Sequence, residues 1–153
     1  MGRITRTNFG LVRQVTVTNA QFLTLPTLAV EILAQPVGRR YRVLGADLSL
    51  DANAAVYTNL DSAGPVIWLT VGTNTDATVY LDFMGGGSFQ AFLGPSAFTS
   101  NADGFAHLAA PSGFADASAV FLKADNDNSG DFTGGDPANT LTVTLFYVEV
   151  PVS

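Results

Sequence analysis

Cysteine is absent, histidine and tryptophan occur once each, and only 13% of the 153 residues are charged. Without thiols there is no disulfide scaffold, no cysteine nucleophile and no Cys-based zinc or iron–sulfur site. A lone histidine, His107, cannot begin a zinc centre, which takes three or four His, Cys or carboxylate ligands at recognisable spacing. Nowhere do ~18 uninterrupted apolar residues occur, which excludes a membrane-spanning helix. Met1 to Asn8 carries charge with no apolar segment behind it, so no secretory signal is expected. What the chain does have is apolar content: 47% of residues are hydrophobic, which excludes disorder as the state of the whole chain. Its length is that of one domain, which buries roughly 70% of the surface its unfolded form exposes.

Charge is scarce and segregated. All six arginines (Arg3, Arg6, Arg13, Arg39, Arg40, Arg42) lie at or before Arg42 against the single acid Glu31, giving that stretch +5. Beyond it twelve acids face Lys123 alone, giving −11. Six arginines on an acidic body are too few for a nucleic-acid surface. Arg3, Arg6 and Arg13 are read instead as a basic N-terminal segment that docks on an acidic partner or neighbouring subunit; the alternative is a frayed, solvated terminus.

The dominant period is two. From Leu11 to Thr18 apolar and polar residues alternate, Val12 excepted, and Thr140 to Val150 alternates before becoming apolar on both faces. A strand apolar on both faces is central to a two-layer stack or lies at a subunit contact. Short apolar runs recur at Ala29–Leu33, Tyr41–Leu50, Val66–Val71, Thr78–Phe83, Phe89–Leu93 and Ala117–Ala124. Turn signals separate them, among them Pro36-Val37-Gly38, Gly85-Gly86-Gly87 and Gly94-Pro95. This pattern predicts an all-β fold, a β-sandwich or jelly roll of about eight antiparallel strands spanning residues 11–153 behind an N-terminal arm of residues 1–10. One short helical turn is expected after Asn19 as N-cap, ended by Pro26 and too short to matter. The exterior is poor in Lys and Glu, while Phe83, Phe89, Phe92, Phe98, Phe105, Phe114 and Phe121 crowd the second half. Part of this apolar surface is expected to face a partner, most simply a copy of itself; ordinary core packing is the alternative.

No catalytic signature emerges. His107 could pair with Ser112 or Ser118, but no Gly-x-Ser-x-Gly elbow occurs, and the glycine run has no phosphate-binding pattern. The chain is therefore read as a non-enzyme. The sharpest motif runs from Asp125 to Asp136. Against the loop D-x-[DN]-x-[DN]-G-x5-E it places Asp125, Asp127 and Ser129 as calcium ligands and Gly130 at the sharp turn. Asp131 would offer a backbone carbonyl, Thr133 would act through water, and Asp136 would replace the closing glutamate. Calcium takes six to eight hard oxygens, which alternate residues of a tight loop aim inward. Ser129 is a weaker ligand than Asp, and Asp136 is a methylene short. The alternative is a polar loop in which Asn and Asp side chains bond their own backbone. A sugar-binding surface built on Trp68, Tyr57, Tyr80 or an exposed Phe is a further reading, with Trp68 itself more naturally core.

Thr27 to Leu44, with Val30-Glu31-Ile32-Leu33 followed by Pro36-Val37-Gly38-Arg39-Arg40, resembles the "VELV-x-x-P-G-x-G-K" strand and turn of small tailed-bacteriophage proteins. Leu122-Lys123-Ala124 and Phe132 to Tyr147 are similar to the closing "L-x-A…PTGGD…NTL-x-V-x-x-YY" of the same proteins. The two matches lie within the first and last thirds of the chain. Arg39-Arg40 stands where Ala-Gly-Lys is commoner, and the Asp125–Asp131 loop is longer and more acidic. The resemblance implies a virion component, made in the host cytoplasm. For a chain this short, without shaft, repeat or coiled coil, it implies a homotrimeric capsid decoration (cement) protein on the major capsid protein. The alternative it leaves is a tail-fibre or tail-tip head binding a receptor or carbohydrate. Neither motif carries a catalytic residue.

Overall fold

The computed structural model describes residues 10–52, 55–60, 66–71, 81–82, 86–95, 106–108, 119–126 and 130–151. Among them eleven strands and one five-residue helix form, and nearly all strand pairing is antiparallel. In chain order these are β1 (Leu11–Thr18), α1 (Asn19–Leu23), β2 (Val30–Leu33), β3 (Arg39–Asp51), β4 (Tyr57–Thr58) and β5 (Val66–Val71). They continue as β6 (Leu81–Asp82), β7 (Phe89–Pro95), β8 (Ala106–Leu108), β9 (Val120–Asp125), β10 (Thr133–Gly134) and β11 (Thr140–Pro151). A five-stranded sheet has the order β1-β11-β3-β7-β8, a four-stranded sheet the order β2-β9-β5-β6, and β10 pairs with β4.

The period-two segments behave as side-chain alternation requires. Along β11, Leu141, Val143, Leu145 and Tyr147 are buried, while Thr140, Thr142, Thr144 and Phe146 are half-exposed. Cross-strand partners share a face. Val17 therefore sits with Leu141 and Leu50, and Val15 with Val143 and Leu48, on the inner face. The four-stranded sheet contributes Ile32, Ile67, Leu69, Val120, Leu122 and Ala124 to the same buried cluster. β11, apolar on both faces toward its end, lies inside this sheet between β1 and β3, and past Tyr147 it pairs with β3 alone among the described strands. Leu44 is an extra residue where the β3–β11 register shifts between Phe146 and Tyr147. Beside this shift Gly10, at φ +76°, lies so close to the Tyr147 carbonyl that a Cβ would come within 2.6 Å.

Four expectations need correction. The N-cap of α1 is Thr18 and not Asn19: the Gln21 N–H donates to the Thr18 hydroxyl at 3.4 Å, and the Thr18 N–H donates to Gln21 Oε1 at 3.0 Å. This reciprocal pair is a capping box, satisfying two backbone donors where a lone Asn cap satisfies one. Nor is the helix negligible, because its one turn drives Phe22 into the core, with ring centroids 4.6 Å from Tyr57 and 5.5 Å from Phe132. Gly94-Pro95 is not a turn but the end of β7, where Leu93, Gly94 and Pro95 pair in parallel with Ala106, His107 and Leu108 of β8. Proline has no N–H to give to the ladder, and the last residue of a strand is a position where that loss is tolerated. This one pairing also departs from the all-antiparallel expectation.

Candidate functional site

Among the described residues, parts of the loops that follow β1, β3, β6 and β9 converge at one end of the five-stranded sheet, residues 130–136 among them. Backbone bonds tie all four together. The Tyr57 N–H donates to the Gly86 carbonyl at 2.8 Å, the Gly135 N–H to Val56 at 3.0 Å, and the Phe132 N–H to Leu23 at 3.0 Å. Side chains reinforce the seam. The Tyr57 hydroxyl donates to Asn19 Oδ1 at 2.8 Å, and buried Asn139 donates to the Ala55 carbonyl at 3.0 Å. Asn126, also buried, donates to the carbonyls of Asn59 and Gly130 at 2.8 and 2.7 Å. Asn59 stands in the left-handed region at φ 58°, a conformation Asn tolerates, and its amide donates to the Asp131 carbonyl at 2.7 Å.

Glycine makes the close approach feasible. Gly135 has φ +72°, and a Cβ there would lie 2.7 Å from Tyr57 Cε1 and 2.9 Å from Asn19 Oδ1. Burial raises the Tyr57 phenol above its ordinary value, a shift the hydrogen bond with Asn139 partly offsets.

Of the calcium set, Asp127 and Ser129 lie outside the described residues. Asp125 ends β9 with an exposed side chain. Asp131 and Asp136 are engaged internally: Asp131 Oδ1 accepts from the Thr27 hydroxyl at 2.6 Å, and Asp136 Oδ1 accepts from the Ala138 N–H at 2.8 Å. The second contact is an Asx-turn of the kind Asp forms in loops. Thr133, the expected water-mediated ligand, pairs across strands with Thr58, hydroxyl to hydroxyl at 3.0 Å. Among the described residues no group of three or more His, Cys, Asp or Glu gathers around a common point.

Arg3 and Arg6 also lie outside the described residues, whereas Arg13 is in β1, opposite Leu145 and exposed. The opposite end of the sheet has its own cluster. Tyr41 and Tyr147 meet edge to face with centroids 5.4 Å apart, and the Tyr41 hydroxyl donates to the Ala34 carbonyl at 2.7 Å. Arg39 pairs with Glu149 at 3.5 Å on the surface. Burial, then the Glu149 carboxylate, raise both phenols; Arg13 pulls Tyr147 slightly the other way.

Of the aromatics named for sugar stacking, Tyr57 is buried with its hydroxyl committed to Asn19 and offers no ring face to a ligand. Tyr80 lies outside the described residues, and Trp68 is placed by its backbone opposite Lys123. Phe92 is exposed, on the outer face beside Asp47. The backbone of His107 lies on β8. The interlocking of loop carbonyls with Asn126, Asn139 and Asn59 escaped the reading of the chain; its only trace there is the density of Asn within the loops. The chain matches no known protein-family model and no curated protein.

Proposed function

We propose that the chain is a non-enzymatic structural protein of a virion, a jelly-roll subunit that self-associates and decorates a capsid shell. The observation that carries this reading is strand order. Taking β1, β2, β3, β5, β6, β7, β9 and β11 as first to eighth, the five-stranded sheet begins first-eighth-third-sixth. The other runs second-seventh-fourth-fifth. That alternation is what two nested Greek keys produce in a two-sheet jelly roll, an architecture shared by viral capsid proteins, lectins and cupins. A single buried cluster fed by both sheets supports the sandwich half of the proposal.

The outer face of the five-stranded sheet favours a covered role within that class. Register places Thr16, Thr142 and Ser49 in one row and Gln14, Thr144, Asp47 and Phe92 in the next, with Val12 beside Phe146. Between the charged ends of the sheet these rows hold hydroxyls, amides and scattered apolar groups with Asp47 as their one charge, a surface that suits contact with protein better than permanent exposure. The partners of this reading are further copies, as a homotrimer, and the major capsid protein; neither nucleic acid nor membrane is among them. The basic segment from Arg3 to Arg13 is the proposed shell anchor.

Mass-spectrometric counting of the chain in purified particles, with a particle map, tests the proposal. A copy number stoichiometric with the shell, and weaker binding to undecorated shells on deleting residues 1–9, is expected. A few copies at the tail, with cell adsorption blocked by free protein, would favour a receptor-binding head. Absence from particles would end the virion reading.

A further inference from the structure

The two ends of the five-stranded sheet carry opposite charge. At one end the β3–β11 register sets Arg39 opposite Pro151, Arg40 opposite Val150 and Arg42 opposite Val148. Arg13 lies further along the same half, and the acids nearby are Glu149 and Glu31. At the other end Asp51 closes β3, and the converging loops add Asp125, Asp131 and Asp136, the nearest described base being Lys123. Thirteen residues of β3 separate the ends by about 40 Å at the rise of a strand. That is several times the roughly 8 Å over which charges interact at physiological salt, so one end does not neutralise the other.

Each end also carries an apolar side chain that its own fold leaves in water. Val37, at the tip of the β2–β3 turn beside Arg39, is 96% exposed. Leu28 is 65% exposed and follows Thr27, whose hydroxyl holds Asp131. Val56 is 51% exposed, and its carbonyl accepts from Gly135, the residue before Asp136. An apolar anchor within a charged rim is the anatomy of a protein contact, and here the two rims are of opposite sign.

We propose that the occupant of each end is a second copy of this chain, docked head to tail: the Val37–Arg39 end of one copy seats on the Leu28–Val56–Asp136 end of the next. Such a contact is heterologous, so copies close into a ring where the rotation allows it and extend into a chain where it does not. The contact stands independently of what the assembly covers. Failure to bind a shell would leave it intact, and its failure would leave the shell role open.

Sedimentation velocity on the full-length protein tests it with variants that neutralise rather than reverse charge. One variant carries Leu28→Asn and Asp136→Asn, the latter keeping the oxygen that caps Ala138; the other carries Val37→Asn and Arg39→Gln. Wild type is expected to associate with concentration, its association constant falling roughly tenfold or more from low to high salt. Each variant alone remains monomeric. Mixed one to one, they form a complex of two copies and nothing larger, because each supplies the end the other lacks. A monomeric wild type at every salt, a variant that assembles like wild type, or a mixture that stays monomeric while both variants give native circular dichroism would overturn the proposal.

Discussion

The Asn126 side chain reaches out of the end of β9 to hold two other strands of backbone: its Nδ2 donates to Asn59 O at 2.8 Å and to Gly130 O at 2.7 Å. Asn59 answers across the same gap, its own amide donating to Asp131 O at 2.7 Å. The pair therefore closes a loop-to-loop clasp inside which Asn126 is only 4% exposed. Replacing Asn126 by Leu removes both donations at once, and each such hydrogen bond contributes a net of about 0.5–1.5 kcal/mol. Asn126→Leu is expected to lower unfolding stability by about 2 kcal/mol or more. Asn126→Asp should do no better, since a carboxylate has nothing to donate. Urea denaturation monitored by circular dichroism gives both values; a loss within error of zero would show that the clasp is idle.

Calcium makes a sharper test of the same loop. For the sequence-predicted ligands to converge, the Asp131 carboxylate and carbonyl would have to work around their contacts with Thr27 and Asn59. The hydrogen bonds thus predict that neither added calcium nor a chelator moves the thermal midpoint. A calcium-dependent rise that disappears in Asp125→Ala would mean that the loop rearranges around the ion.

Two glycines in the same backbone region separate strain from crowding. Gly38 has φ +64° with open space around its missing Cβ, whereas Gly135 at φ +72° faces Tyr57 and Asn19 within 3 Å. Alanine at position 38 meets only the left-handed penalty, about 1–2 kcal/mol. Gly135→Ala adds a clash against a ring locked in the core, so its loss in chemical denaturation should be the larger by about 1 kcal/mol or more. Equal losses would show that the loop yields without resistance.

Alkaline pH should unfold the protein through its tyrosines. Tyr41, Tyr57 and Tyr147 all have phenols raised above 10.0, chiefly by burial, with Glu149 adding to Tyr41 and Tyr147. The unfolded chain releases these protons near pH 10 while the folded chain keeps them, so above that value the native state binds more protons. Stability is therefore unaffected by these groups below pH 10 and falls as pH rises beyond it. Tyr41→Phe is expected to flatten that fall, at a cost of about 1 kcal/mol near neutrality for the lost bond to Ala34. Denaturation at stepped pH, followed with tyrosinate absorbance, would contradict this if the variant and wild type declined in parallel.

Much of the sheet was legible in the chain. The alternation of Leu141, Val143 and Leu145 with threonines, and the run from Val66 to Val71, mark strands because side chains on a pleated backbone alternate faces. Local rules misread points where two elements compete for one residue. Thr18 took the cap that Asn19 could have served, freeing Asn19 Oδ1 for the Tyr57 hydroxyl 38 residues away. Gly94-Pro95 has the chemistry of a turn, but β8 arrives beside it and continues the sheet.

Composition and period alone settled that this is an all-β chain with no thiol or histidine-cluster chemistry and with arginines gathered toward its beginning, because those properties depend only on residue type and nearest neighbours along the chain. Which loops meet, and hence that Asn126, Asn59, Tyr57 and Gly135 form one seam, was decided by tertiary structure. Those relationships join residues tens of positions apart through the register of strands, and register is set by burying one face of each sheet in a common core, a condition no local window can express.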